Sequence, residues 1–252
     1  MLSAKRKAQI LAFIRQHQQS SVVELSSRFG ASIPTIRRDL TNLQKEGYIR
    51  RIHGGAVLEK RSLIDLSYQQ REQKFIQQKR YIAEKALELI HAGDRIFFND
   101  GTTIMQIAKL LVKKKIPLEV MTNSIKVADI LLFNNEIDVM LIGGSIREHS
   151  YACSGPFAEL VIESLNANKA IISADAFHPE WGISIHSIAM GSLTRKMIAK
   201  SEQVIVVGDS SKMRTPAAMT VCTWKEVDVF ISDSVSAEAL DMIGKNSVEI
   251  IS

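Results

Sequence analysis

Apolar residues near the start of the chain recur at helical spacing. Ile10, Leu11, Phe13 and Ile14 give a buried side to a helix predicted over 3–17. Ser21-Val22-Val23-Glu24 then sets a hydroxyl at an N-cap with a carboxylate in the following turn, a capping box for a short helix through Leu25 to Phe29 that stops at Gly30. After a tight turn the pattern resumes from Ser32 to Gly47 as S-I-P-T-I-R-R-D-L-T-N-L-Q-K-E-G. Ser32 suits an N-cap, Pro34 fits a first turn, and Gly47 suits a C-cap. Ile33, Ile36, Leu40 and Leu43 form one apolar stripe, and the opposite face carries Thr35, Arg38, Asn42 and Lys45, flanked by Arg37 and Thr41. Beyond Gly47 the period shortens: Tyr48-Ile49-Arg50-Arg51-Ile52-His53 reads as a strand, Gly54-Gly55 as a hairpin turn, and Ala56-Val57-Leu58 as the return.

A polar stretch, 59–75, reads as a linker, and a helix through Ile82, Ala83, Ala86, Leu87 and Ile90 ends at Gly93. Strands and helices then alternate. Ile96–Phe98, Leu118–Met121, Asp138–Ile142, Ala170–Ile172, Val204–Val207, Val227–Ile231 and Val248–Ile251 are short apolar runs of the kind that fill a buried sheet, with helical patterns between them. This alternation predicts an α/β class: a doubly wound, mostly parallel effector domain joined to an N-terminal helix-turn-helix with a wing. The predicted division is 1–58 for the first domain, 59–75 for the linker and 76–252 for the second.

Charge separates the two parts further. Residues 1–60 hold 11 Lys and Arg against 4 Asp and Glu, whereas the remainder holds 21 against 23. A basic segment on a near-neutral body points to a polyanionic partner for that segment alone. Cys153 and Cys222 suit no metal spacing and point to a reducing compartment and packing roles. No apolar run reaches membrane length and no signal-peptide pattern opens the chain, so a cytoplasmic protein is expected.

A helix with one face glued down and Arg on the other matches the width of the B-DNA major groove, where Arg pairs with guanine edges through two hydrogen bonds. A solvated surface helix would carry the same pattern. The preceding short helix and the following basic hairpin decide for DNA: two helices across a tight turn, then a wing placed to touch phosphate. Candidate DNA contacts are Ser32, Thr35, Arg37, Arg38, Thr41, Asn42, Lys45, Arg50, Arg51 and His53. The runs T-I-R-R-D-L (Thr35–Leu40) and G-Y-I-R-R-I-H-G-G-A (Gly47–Ala56) strongly resemble the DeoR family of bacterial transcriptional regulators, over nearly all of 3–58. The resemblance implies a winged helix that binds double-stranded operator DNA, in most members to repress a sugar-related operon.

In a doubly wound sheet, ligands sit beyond the carboxyl ends of the strands. Here those ends read Asp100-Gly101-Thr102-Thr103, Thr122-Asn123-Ser124, Gly143-Gly144-Ser145, Ser173-Ala174-Asp175 and Gly208-Asp209-Ser210-Ser211-Lys212. Such residues also turn and cap chains everywhere, but their convergence on one edge favours a site. Glycine followed by two threonines at a helix start is a plausible phosphate cradle. Lys212 would add charge, and Asn123 and Asp175 would address hydroxyls. These clusters look like the DeoR effector domain, which resembles the ribose-5-phosphate isomerase fold and implies a phosphorylated-sugar effector. The chain departs from the family where Ser173-Ala174-Asp175-Ala176 replaces G-A-D-G, and where Met190-Gly191 and Thr194-Arg195 replace Glu-Ala and Lys-Arg; Asp175 and Arg195 remain as candidate contacts. An isomerase is the competing reading, with Asp100, Asp175, Asp209 and Lys212 as acid–base candidates. The isomerases of this fold carry a Lys-Gly-Gly-Gly loop that the sequence lacks. A regulator without cofactor or metal, acting as a homodimer or homotetramer, is therefore expected.

Overall fold

The computed structural model describes residues 2–17, 19–45, 49–58 and 68–252. Gly47, Tyr48 and positions 59–67 of the expected linker lie outside them. The chain divides into two compact units, Met1–Leu66 and Ser67–Ser252.

The first unit runs α1 (Leu2–His17), β1 (Gln19–Ser21), α2 (Val22–Phe29), α3 (Ile33–Lys45), β2 (Ile49–Ile52) and β3 (Gly55–Leu58). Its strands form an antiparallel sheet ordered β1-β3-β2. Ile10, Phe13 and Ile14 of α1 meet Leu25 of α2 and Ile36, Leu40 and Leu43 of α3 in one core. The Ser21 hydroxyl accepts the Glu24 N–H at 3.0 Å, and Gly30 closes α2 in the left-handed region at φ 59°. Two readings need correction. Ile33 is 39% exposed, because it opens α3 one turn ahead of Ile36 and overhangs the core. The hairpin turn is His53-Gly54 rather than Gly54-Gly55, since Ile52 pairs with Gly55. Gly55 is instead a close-approach residue: a Cβ there would lie 2.4 Å from the Ser20 carbonyl oxygen.

The second unit opens with α4 (Tyr68–Gln73) and α5 (Ile76–Glu88). Then come β4 (Arg95–Phe98), α6 (Thr102–Leu111), β5 (Leu118–Thr122), α7 (Ile125–Leu131) and β6 (Ile137–Leu141). A small hairpin, β7 (Ser145–Arg147) and β8 (Ala152–Ser154), precedes α8 (Pro156–Glu163) and β9 (Ala167–Ser173). After β10 (Ala176–His178), β11 (Gly182–Ile185) and α9 (Ile188–Ala199), the chain adds β12 (Ser201–Val207), β13 (Met219–Cys222), β14 (Val229–Ile231), α10 (Ala237–Gly244) and β15 (Glu249–Ile251). The main sheet is ordered β15-β14-β12-β9-β4-β5-β6 and every pair in it is parallel.

Alternation along the central strands fills both faces. Phe97, Ala170, Ile172, Val204 and Val206 enter a core beneath α8, α9 and α10. Ile96, Phe98, Ile171, Ile205 and Val207 enter the opposite core beneath α5, α6 and α7. This is the expected doubly wound α/β class. A second antiparallel sheet, β10-β11-β13, was not expected from the sequence. It absorbs the stretch Phe177–Trp181, where the His178 and Trp181 rings stack at 4.8 Å. The segment 68–75, read as linker, is also different: Tyr68 is buried, and α4 is docked on the second unit.

Candidate functional site

The chain offers two sites, one in each unit. In the first, Asp39 is buried and ion-paired to Arg6 at 2.7 Å, so the acidic residue of the R-R-D run turns inward while Arg37 and Arg38 are exposed. Thr35, Thr41 and Asn42 are half-buried; Ser32 is exposed, with its hydroxyl 2.8 Å from that of Thr35. Lys45 ends α3, its side chain lying outside the described residues. Arg50, Arg51 and His53 are exposed on the wing, and Arg51 Nη1 donates to the Thr41 hydroxyl at 3.2 Å, tying wing to helix. Between α2, α3 and the wing lies a hollow of about 420 Å³, lined by Val23, Ile33, Arg37, Arg51, Ile52 and His53 among others. The expected DNA contacts thus lie on α3 and the wing that flanks it.

The second site is built by topology. β5 and β6 extend the sheet on one side of β4, whereas the later strands β9, β12 and β14 extend it on the other. The switch between β4 and β9 opens a crevice at their carboxyl ends. Asn99 locks the crevice floor: its Nδ2 donates to the Ser173 carbonyl at 2.8 Å and its Oδ1 accepts the Ser173 N–H at 2.9 Å. Gly101 follows at φ 146°, where a Cβ would meet Ser173 Oγ at 2.2 Å. Only glycine lets the chain pass here and turn into α6. The N-cap of α6 is Gly101, which has no side chain to cap it, so among the described residues the first N–H groups of α6 keep the partial positive charge of a free helix start.

Charged groups from separate elements surround that helix start. Lys212, in a 3-10 turn after β12, donates from Nζ to the Ala174 carbonyl at 2.6 Å, and burial pushes its ammonium below the usual range against the fields of Asp209 and Asp175. Asp209 is buried and takes the Ser211 hydroxyl. Burial first, then the neighbouring Asp175, pushes Asp100 up to about 6, opposed by Arg71 and Arg147. Asp175 accepts the His186 N–H at 2.9 Å, and its carbonyl takes Arg214 at 2.6 Å. Burial lowers Lys79 to about 8, helped by Lys212, while its ammonium donates to the Arg71 and Lys74 carbonyls. Five cations (Arg71, Lys79, Arg147, Lys212 and Arg214) therefore face four carboxylates (Asp100, Asp175, Asp209 and Glu72, the last already paired with Lys109), a balance that favours an anion.

Among the remaining sequence candidates, Thr103 is buried with an unpartnered hydroxyl, and Thr102 is also buried. Asn123 donates to the Cys153 carbonyl at 2.9 Å but leaves its Oδ1 without a partner. Thr122 and Ser124 serve the backbone: the Thr122 hydroxyl takes the Ser124 N–H at 3.1 Å, and Ser124 caps α7. Gly143 is exposed, and Gly144 lies where a Cβ would be 2.6 Å from the Ser154 carbonyl oxygen. Arg195 must be withdrawn from the cluster: it is exposed on α9 and binds the Thr220 carbonyl. Arg147, His186 and Arg214, which the structure adds, lie in no recognisable motif. Arg71 and Lys79 likewise stand outside the sequence candidates.

Comparison with known proteins follows these two units. The DeoR-like helix-turn-helix domain matches residues 6–62 and the DeoR C terminal sensor domain matches 74–234. The chain is 33% identical to the HTH-type transcriptional regulator GlpR of Haloferax volcanii, over 100% of this chain and 98% of the relative. It is 32% identical to the HTH-type transcriptional repressor GlcR of Bacillus subtilis, over 100% and 96%. Among solved structures, ribose 5 phosphate isomerase A from Neisseria gonorrhoeae is 20% identical over 54% of this chain and 53% of that one, with a TM-score of 0.41.

Proposed function

This chain belongs to the DeoR family of transcriptional regulators, and on that premise we propose that it is a sequence-specific DNA-binding repressor of a carbohydrate-related operon, controlled by a small phosphorylated sugar. It is a regulator, not an enzyme. Residues 1–58 bind duplex operator DNA, and the second unit, Ser67–Ser252, binds the effector and a second subunit. The observation that carries the DNA reading is the exposure of Arg37 and Arg38 on α3 beside a wing whose Arg51 is tied to Thr41. A single winged helix contacts too few base pairs for genomic specificity, so paired half-sites and at least a homodimer are part of the proposal. Among the described residues no helix is long and apolar enough to cross a membrane, which agrees with a cytoplasmic regulator. For the effector, the support is the uncapped start of α6 at the switch point, surrounded by an excess of cations. Gel shifts with fragments of the source genome, with and without sugar monophosphates, test both halves. A shifted fragment released by one such compound is expected; no shifted fragment at low salt would overturn the DNA assignment.

A further inference from the structure

Five side-chain atoms are buried without a hydrogen-bond partner among the described residues: Arg71 Nε, Thr103 Oγ1, Gln106 Nε2, Asn123 Oδ1 and Ser150 Oγ. Native interiors rarely leave such groups unmatched. Thr103, Asn123 and Ser150 are all more than nine-tenths buried, so bulk solvent does not serve them. They also share an address. Thr103 and Gln106 lie on the first two turns of α6, Asn123 follows β5, Ser150 sits in the β7–β8 loop, and Arg71 belongs to α4.

The short helix α4 is held over this place from three sides. Tyr68 donates its hydroxyl to Met105 Sδ at 3.1 Å, and Glu72 pairs with Lys109 at 2.8 Å, both on α6. Arg71 Nη2 donates to the His149 carbonyl at 2.9 Å, beside Ser150. Lys79 reaches back from α5 to the Arg71 and Lys74 carbonyls. Among the described residues Arg71 therefore spends one N–H on the protein and keeps Nε–H unmatched, on a helix packed against α6 and bonded to the loop that carries the unmatched Ser150 hydroxyl. A guanidinium presents its donors in a fixed fork, suited to an oxyanion that accepts more than one of them. The chain enters this unit at Ser67, immediately before α4.

We propose that α4 is a ligand-bearing strap: Arg71 Nε–H and the Thr103 hydroxyl bind the oxyanion of the effector, so that occupancy fixes the segment through which the chain arrives from the DNA-binding unit. This rests on the anion-sensing reading above and adds its route of regulation. The effector holds the strap only through what it binds more tightly in the docked state, and Arg71 is the residue that supplies this difference.

The test uses the full chain, with inorganic phosphate and a panel of aldose and ketose monophosphates as probes. Calorimetry compares the wild type with Arg71→Gln, Arg71→Lys and Thr102→Ala/Thr103→Ala, and hydrogen exchange follows residues 68–75. The best-binding probe should slow exchange in 68–75 of the wild type, Arg71→Gln should weaken its binding at least about tenfold, and Arg71→Lys should recover part of the loss. Wild-type affinity in Arg71→Gln, or unchanged exchange in 68–75 on binding to the wild type, overturns the strap. Loss of binding in the threonine variant alone would then leave the sensor reading standing. If no probe binds the wild type at millimolar concentration, both readings fall.

Discussion

On the first unit, Arg37, Arg38 and Arg51 stand exposed on a helix and a hairpin that follow one another in the chain. In the second, Arg71, Lys79, Asp100, Asp175 and Lys212 come together from five separate elements and are half-buried or buried. An exposed face costs little to maintain and reads a partner that brings its own charges. A buried cluster of like and unlike charges is expensive unless something completes it, and several of its pKa values are displaced accordingly. The two regions should therefore respond differently to the same kind of change.

The largest effect is expected from Gly101→Val. The new side chain would meet Ser173 Oγ at the 2.2 Å position of its Cβ, at a φ of 146° that only glycine adopts easily. Clash and strain together should remove at least about 3 kcal/mol from the sensor unit. Hydrogen exchange should show protection lost in β4 and β9 but retained in α2 and α3. Loss spread evenly over both units would break the comparison.

Surface changes on the first unit should spare stability and affect DNA. Arg38→Ala should weaken operator binding by about 1–3 kcal/mol if it reads a guanine, and relax the preference at one base pair. Arg51→Ala should weaken binding on every sequence and lower the salt slope by about 0.9 for a lost phosphate contact. Titrations by fluorescence anisotropy at several salt concentrations separate the two behaviours.

A pH series sharpens the contrast. Asp100 sits at about 6 in the folded chain against 3.8 for a free carboxyl, chiefly through burial and then Asp175. The folded state thus holds the extra proton between those values, so its contribution to stability is full below pH 3.8 and lost as pH rises through 6. Asp100→Asn should abolish that fall and, above pH 6, raise the stability of the sensor unit by about 1–2 kcal/mol, a figure reduced because Asp100 as a residue is only half-buried. Denaturant unfolding between pH 4 and 8 measures it; a variant with the wild-type slope would contradict the placement of Asp100. Smaller still, Ser21→Ala should lower the stability of the first unit by about 1 kcal/mol through loss of the α2 cap, leaving the sensor unit untouched.

How far the sequence could be read differs between the regions for the same reason. The recognition face is local: Ile36, Leu40 and Leu43 fix which way α3 faces, and Arg37 and Arg38 follow from helical geometry alone. The strands of the main sheet were legible too, because runs such as Ile96–Phe98 and Val204–Val207 are buried on both faces. The sheet β10-β11-β13 was not, because its short strands carry no alternation that sets them apart from loop. Helix α4 is polar in pattern and owes its place to Tyr68 docking on Met105, a tertiary contact. Arg147 reaches the cluster from the end of the short strand β7 and Arg214 from the loop after the 3-10 turn, segments whose course no spacing rule predicts. Arg195 failed in the opposite sense, since a matching position on α9 did not bring its side chain to the crevice.

The central claim is that the α3–wing face reads the operator. Footprinting of a shifted genomic fragment with the wild type and with Arg37→Ala/Arg38→Ala tests this most directly, with hydrogen exchange confirming that the variant is folded. The account predicts clear protection by the wild type and none by the folded variant at the same concentration. Full protection by the folded double variant would contradict it.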